Sequence, residues 1–180
     1  MTSADRPVAF RIDQEANRDV VDADEATARL AVLAEREDLS ARGERVSLLR
    51  SLGRLEQAAA EGRHAYDLAM REGTPRQRMA ALIRLAHVLQ YQRRWGEADA
   101  LFDDAFARAR EPGDPLMEAF AHQHAGRNHV DQGRHTEAVA AFRAALALRE
   151  AHGAPADQLE STRGALRAAL ARCAQPASPD

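Results

Sequence analysis

The sequence repeats one tripeptide pattern, glycine-x-proline, at an interval of forty residues: Gly73-Thr74-Pro75, Gly113-Asp114-Pro115 and Gly153-Ala154-Pro155. Glycine just past a helix end can adopt the left-handed conformation that closes the last turn. Proline at the first position of a helix has its φ angle preset and no amide hydrogen to leave unpaired. Of the middle residues, Thr74 and Asp114 are good N-caps and Ala154 is a poor one. Each tripeptide therefore predicts the end of one helix and the start of the next.

The same interval extends beyond the tripeptides. Two alanine positions and one bulky position recur in each unit: Ala58, Ala98 and Ala138; Ala65, Ala105 and Ala145; Tyr66, Phe106 and Leu146. A short polar turn divides each unit: Gly53-Arg54, Arg93-Arg94-Trp95-Gly96 and Gly133-Arg134. Apolar residues lie at helical spacing on both sides of these turns. Every unit is therefore predicted to be a helix-turn-helix hairpin, and such a period is typical of helical repeat proteins.

We predict an all-α fold without strands, an α-solenoid of antiparallel helix hairpins. The predicted helices span residues 23–38, 40–52, 55–72, 75–92, 95–111, 115–132, 135–151 and 155–173. The predicted domains are a poorly ordered N-terminal tail at 1–22, a repeat domain at 23–173 and a disordered tail at 174–180. Within the repeat domain, units at 40–73, 75–113 and 115–153 precede a capping helix at 155–173.

Composition and charge narrow the class of partner. The chain has 180 residues, few aromatic side chains (4%) and many strong helix formers. The net charge of -3 provides no basic field that would gather nucleic acid or an anionic membrane, so neither is expected as a partner. No signal-peptide pattern starts the chain, no run of eighteen apolar residues occurs, and its one cysteine is Cys173. These features favour a cytoplasmic protein.

Small and aromatic residues alternate across the predicted hairpins. A small residue stands midway along the first helix of each unit: Ala86, Gly126 and, less small, Val46. An alanine-aromatic-alanine series follows in the second helix: Ala98, Phe102 and Ala105, then Ala138, Phe142 and Ala145. The first unit departs from this pattern, with Gly62 at the aromatic position. On these residues, the chain resembles the tetratricopeptide repeat family over residues 40–173, in a variant of about forty residues per unit. The resemblance implies a right-handed superhelix whose first helices line a concave groove that binds a peptide or a partner protein.

Residues off the packing face of the first helices are the candidate groove contacts. They are Ser47, Arg50, Arg84, His87, Tyr91, Gln123, His124, Arg127, Arg163 and Arg167. A shift by forty residues aligns four of them in one row: Ser47, His87, Arg127 and Arg167. Guanidinium groups bind carboxylates and phosphates through paired, directional hydrogen bonds. We therefore expect a partly basic groove that binds an acidic peptide segment or a C-terminal carboxylate.

Three alternatives stay open at this point. An arginine-rich composition would by itself place arginines on every exposed helix face. The chain would also suit a regulatory sensor, since similar helical arrays in bacterial regulators bind signalling peptides, but it would then act through a separate partner protein. Exposed end helices with alanine and leucine faces would, as a third possibility, favour a homo-oligomer.

Enzyme and metal chemistry have little support in the sequence. There is no glycine-rich phosphate loop, no nucleophile elbow and no cysteine beside a base, so we expect neither an enzyme nor a cofactor. Three histidines cluster in one predicted helix, His122, His124 and His129. Their spacing places His122 and His129 on one face and His124 on another, and no HExxH motif is present. We therefore expect structural histidines rather than a metal site.

Overall fold

The structure is a computed structural model that describes residues 8–13, 18–110 and 113–174. In these residues a two-stranded antiparallel sheet precedes eight α-helices. The elements are β1 (Arg11–Asp13), β2 (Arg18–Val20), α1 (Ala23–Leu33), α2 (Leu39–Ser51), α3 (Leu55–Glu72), α4 (Pro75–Tyr91), α5 (Trp95–Arg110), α6 (Pro115–Asp131), α7 (His135–Ala151) and α8 (Ala156–Ala174). Two compact units, Met1–Leu101 and Phe102–Asp180, divide the chain. The all-α helical repeat fold is confirmed.

The tripeptides start helices as predicted. The Thr74 hydroxyl accepts a hydrogen bond from the Gln77 amide, and the Gln77 side chain accepts one from the Thr74 amide, which completes a capping box before Pro75. Asp114 accepts a hydrogen bond from the Met117 amide in the same way at the start of α6. The third tripeptide has no side-chain cap at Ala154, and α8 begins at Ala156, one residue beyond the proline. The two tripeptides with a capping side chain therefore start helices at the proline, whereas the helix after the third tripeptide starts one residue later.

The prediction of a left-handed glycine at each tripeptide is correct for two positions and wrong for one. Gly113 and Gly153 have φ angles of 65° and 66°, in the left-handed region. Gly73 instead has an extended backbone with φ -79° and ψ 155°. A Cβ at Gly73 would lie 2.6 Å from the Ala69 carbonyl oxygen. Glycine is needed there because the chain passes close to the end of α3, and not because of its φ angle.

Seven of the eight predicted helices agree with the structure to within one residue at each end that is described. The exception is α1, predicted to reach residue 38, which ends at Leu33. Asp38 is the N-cap of α2, and the hydrogen bond from the Ala41 amide to its carboxylate lowers the pKa of Asp38 below its ordinary value. An N-cap residue has an extended backbone, so α1 must end before it. In the part of the chain that the structure describes, no helix has the length and hydropathy to span a membrane.

The prediction of no strands is wrong. Residues 11–13 pair with residues 18–20 in antiparallel register, with Ile12 opposite Asp19. Val8, just before this hairpin, packs into a core with Ala26, Leu33 and Leu48 of the first two helices. Residues 8–13 and 18–22 of the predicted N-terminal tail are therefore placed on unit 1. Residues 1–7, 14–17 and 175–180 lie outside the described residues, and the division into tails and repeat domain stays a prediction.

Two hairpins fill their interiors with opposite size patterns. In the α6–α7 hairpin, a Cβ at Gly126 would lie 2.7 Å from the ring of Phe142, so glycine on the first helix makes room for the aromatic residue on the second. In the α2–α3 hairpin, the glycine is Gly62, on the second helix, and the larger residue is Val46, on the first. Val46 lies 3.8 Å from the Cβ position of Gly62. The glycine and the larger residue thus change helices between the two hairpins, and the side chain nearest to Gly62 is Leu85 of α4, whose Cδ1 lies 3.1 Å from the Cβ position.

Candidate partner-binding site

Three of the predicted contacts meet on the α2–α4 face of unit 1. Arg50, in the last turn of α2, is only 5% exposed, and its Nη1 donates a hydrogen bond to Nδ1 of His87 at 2.6 Å. Because arginine has no acceptor, His87 accepts through a neutral imidazole. Tyr91 lies one turn beyond His87 on α4, and the Arg50 guanidinium carbon is 5.1 Å from the centre of its ring. These three candidate contacts therefore lie together, and their role in binding stays a prediction.

A residue that the sequence did not suggest completes this cluster. The carboxylate of Asp19, on β2, forms an ion pair with Nη2 of Arg50. The backbone amide of Asp19 donates a hydrogen bond to the Tyr91 hydroxyl at 3.0 Å. The guanidinium carbon of the adjacent Arg18 lies 4.4 Å from the centre of the Tyr91 ring, which is close enough for a cation–π contact. The chain's own N-terminal hairpin thus occupies part of the predicted binding surface.

Arg84 lies on the same face of α4 and differs from Arg50 in its pairing. Its guanidinium packs against Gly43 of α2, where a Cβ would come within 3.0 Å of the Arg84 Cζ and Nη1 atoms. Burial lowers the pKa of Arg84, and the neighbouring positive charge of Arg50 lowers it further. In residues 8–13, 18–110 and 113–174, no carboxylate forms an ion pair with Arg84. Within these ranges Arg84 is therefore a half-buried cation that lies beside a second cation and has no ion-pair partner of its own.

Glu44, the acidic residue at the position equivalent to Arg84 in the preceding repeat, forms an ion pair with another residue. Glu44 stands forty residues before Arg84, and its two carboxylate oxygens accept hydrogen bonds from Nε and Nη2 of Arg29 at 2.7 and 2.9 Å. Arg29 belongs to α1, which precedes the repeats. Ser47, also a predicted contact, donates its hydroxyl to the Gly43 carbonyl at 3.1 Å. Neither side chain therefore compensates the charge of Arg84.

The predicted contacts of unit 2 have different surroundings. Gln123 and Arg127 of α6 are buried, with 5% and 4% of their surface exposed. The His124 ring packs edge-on against Phe120, with ring centres 4.2 Å apart. Arg163 and Arg167 of α8 are exposed, and each donates to a glutamate at 2.8 Å: Arg163 to Glu150 and Arg167 to Glu160. The predicted row is thus divided, with Ser47 and His87 in unit 1 and Arg127 and Arg167 in unit 2, and a shared groove stays a prediction.

The sequence did contain a weak signal for the hairpin that carries Asp19. Val8, Phe10 and Ile12 alternate with polar or small residues, which is the period of a β-strand. The strands have only three residues each, too few for periodicity to be decisive. The position of Asp19 depends on tertiary contacts with α2 and α4. Sequence periodicity alone does not reveal such contacts.

The histidines of α6 contact separate neighbours. His122 lies against Phe106, with ring centres 4.6 Å apart, and its Nε2 is 3.9 Å from a carboxylate oxygen of Glu118. His129 is hydrogen-bonded to Arg134 through Nδ1. Among the residues that the structure describes, no three His, Cys, Asp or Glu side chains are grouped as metal ligands would be. That the chain binds no metal stays a prediction.

Comparison with known proteins identifies the repeats. Residues 77–151 match the family model of the tetratricopeptide repeat. The fold is similar to the crystal structure of BtubC (BKLC) from P. vanneervenii, with a TM-score of 0.56 and 16% sequence identity, over 83% of this chain and 68% of that chain. At that identity the likeness shows the fold alone, and no curated protein matches the sequence significantly. Tetratricopeptide repeats generally mediate protein–protein interaction. The resemblance to the tetratricopeptide repeat family is therefore confirmed over residues 77–151.

Proposed function

We propose that this chain is a protein-interaction module that binds an acidic peptide segment of a partner on the α2–α4 face, without chemistry of its own. The observation that carries the proposal is the state of Arg84. Its guanidinium is half-buried between α2 and α4, and no carboxylate among the described residues pairs with it. Burial of a charge is unfavourable unless the charge is paired and hydrogen-bonded. A partner that supplies a carboxylate would remove this penalty.

The surroundings of Arg84 favour an oxyanion over other ligands. Arg50 adds a second positive charge, and the hydrogen bonds from Arg29 hold Glu44 in its own ion pair. Because Gly43 has no Cβ, the Arg84 guanidinium has room to pack against α2. Guanidinium–carboxylate contacts are about twice as strong as neutral hydrogen bonds. Because the whole chain carries a net charge of -3, attraction of an acidic peptide must come from this local cluster and not from the overall field.

The test is a binding titration with a fluorescein-labelled hexaglutamate peptide, followed by fluorescence anisotropy at low ionic strength. The wild-type protein is expected to bind hexaglutamate and not the uncharged hexaglutamine. The variant Arg84→Gln removes the charge and keeps most of the side-chain volume. It is expected to weaken hexaglutamate binding by about tenfold, as the loss of one charge-assisted contact implies.

A matched control variant is Arg163→Gln. Arg163 is also a predicted contact, but it is exposed in unit 2 and already paired with Glu150 at 2.8 Å. The control makes the same change of net charge and is expected to leave the affinity for hexaglutamate within about twofold of wild type, because exposed ion pairs contribute little. Equal weakening by the two variants, or equal binding of hexaglutamate and hexaglutamine, would contradict the proposal.

A further inference from the structure

The N-terminal strand β2 sits on the binding face as a bound peptide would. It presents a carboxylate to Arg50, donates a main-chain hydrogen bond to the Tyr91 hydroxyl at 3.0 Å and covers the Tyr91 ring with Arg18. We infer that β2 is an internal ligand, and that an acidic, extended segment of the partner takes the place of Asp19 on Arg50 when it binds. This inference rests on the proposed function, and it names the conformation of the partner segment and the competitor that it must displace.

The contacts of Asp19 define what the partner segment would have to supply. The carboxylate is 13% exposed in its ion pair with Arg50, so a replacing side chain must also be an acid of similar reach. The main-chain contact with Tyr91 favours an extended segment, because its amide must point at the phenol while its side chain points at Arg50. These requirements match recognition of an extended peptide through main-chain bonds and side-chain pockets.

The hairpin is suited to leave its position. Its strands have three residues each, and two-stranded hairpins are marginally stable on their own. Phe10, Ile12 and Val20 are among its exposed apolar residues, so these side chains add little burial on unit 1. The attachments that the structure gives β2 include the ion pair with Arg50 and the contacts with Tyr91, whereas Val8, before the hairpin, is packed against α1 and α2.

Displacement becomes favourable only for a segment with a second acidic residue. A partner carboxylate on Arg50 replaces the Asp19 carboxylate, so this exchange alone gains nothing. A second carboxylate on Arg84 is a gain, because Asp19 leaves Arg84 unneutralised. We therefore expect peptides with adjacent acidic residues to bind and peptides with one acidic residue to bind much more weakly.

The experiment compares full-length wild type with Asp19→Asn in the hexaglutamate titration. Removal of the internal competitor raises the fraction of protein that is competent to bind, and the apparent affinity is expected to increase by roughly three- to tenfold. The matched control is Asp24→Asn, an exposed change of the same charge in the first turn of α1, which is expected to alter the affinity by less than about twofold.

A second readout observes the strand itself. Hydrogen exchange of residues 18–20 in the wild type is expected to become faster at saturating hexaglutamate, because β2 leaves Tyr91 and Arg50. Equal affinities of the Asp19→Asn and Asp24→Asn variants, or unchanged exchange of β2 at saturation, would overturn the inference. If the wild type nevertheless binds hexaglutamate and Arg84→Gln does not, the proposed function survives; if neither wild type nor Asp19→Asn binds hexaglutamate, both fail.

Discussion

The α2–α3 and α6–α7 hairpins hold equivalent positions in the forty-residue register, yet the glycine of the packed pair lies on opposite helices in the two hairpins. In α6–α7 a glycine on the first helix receives the ring of Phe142, which is almost completely buried. In α2–α3 the glycine is on the second helix and Val46 takes up space from the first. Part of the space beside Gly62 is filled from α4, because Leu85 Cδ1 lies 3.1 Å from the Cβ position of Gly62 and Val46 lies 3.8 Å from it. The space beside a glycine in this repeat can therefore be filled from the partner helix or from the next hairpin.

The polar faces of the two units differ as well. In unit 1, Arg50 is buried and Arg84 is half-buried between α2 and α4. Asp19 forms an ion pair with Arg50 and not with Arg84. In unit 2, the exposed Arg163 and Arg167 are paired with glutamates on their own surface. Exposed ion pairs are weak and do not create a need for a ligand, whereas a half-buried cation does. The difference teaches that burial and pairing, and not arginine content, identify the candidate site.

The largest expected effect is a loss of stability when the glycine of the α6–α7 hairpin is replaced by a larger residue. Gly126→Ala is expected to lower the free energy of unfolding by about 2 kcal/mol, because its methyl group would lie 2.7 Å from the Phe142 ring and the packed core cannot yield freely. The atom closest to the new methyl group of Gly62→Ala is Leu85 Cδ1, at 3.1 Å, which is the end of a flexible side chain, and alanine favours the helix by about 1 kcal/mol over glycine. This second variant is therefore expected to stay within about 1 kcal/mol of wild type. Urea unfolding measures both.

A compensating variant serves as the control for this comparison. Phe142→Leu in the Gly126→Ala background shortens the side chain that meets the new methyl group, and it is expected to recover at least part of the lost stability. Equal destabilisation by Gly126→Ala and Gly62→Ala would show that helix packing at the two sites is the same, and would contradict this prediction.

A smaller effect is expected at the turn between the helices of each hairpin. Gly53 and Gly133 have φ angles of 73° at this turn, whereas the equivalent residue of the middle unit is Arg93, with φ 59°. The left-handed conformation is unfavourable for a residue with a Cβ. Arg93→Gly is therefore expected to raise the free energy of unfolding by about 0.5 to 1 kcal/mol. Urea unfolding again provides the measurement.

Arg93→Ala separates the backbone effect from the side chain. It also removes the guanidinium but keeps a Cβ, so it is expected to give no comparable gain. If Arg93→Ala stabilised the protein as much as Arg93→Gly, the left-handed backbone would not be the cause.

Much of the helical framework could be predicted because its determinants are local. Thr74 and Asp114 cap their helices through residues three positions away, and proline presets the first turn. Three candidate contacts, Arg50, His87 and Tyr91, were identified from their positions on helix faces, and the structure brings them together, whereas their role in binding stays a prediction. The roles of Asp19 and Arg29 could not be predicted, because each reaches a repeat residue from outside the repeat register. Asp19 and Arg29 determine which charges on the α2–α4 face are paired. That no described carboxylate pairs with Arg84 is therefore visible only in the tertiary structure.

The most direct measurement of the central claim follows the Arg84 side chain itself. The Nε–H resonances of arginine side chains are recorded by NMR during a titration with unlabelled hexaglutamate, and the Arg84→Gln spectrum assigns the Arg84 signal by its absence. The account predicts a saturable shift of the Arg84 resonance, with the Arg163 and Arg167 resonances nearly unchanged. A titration that shifts the resonances of Arg163 and Arg167 and leaves that of Arg84 in place would contradict it.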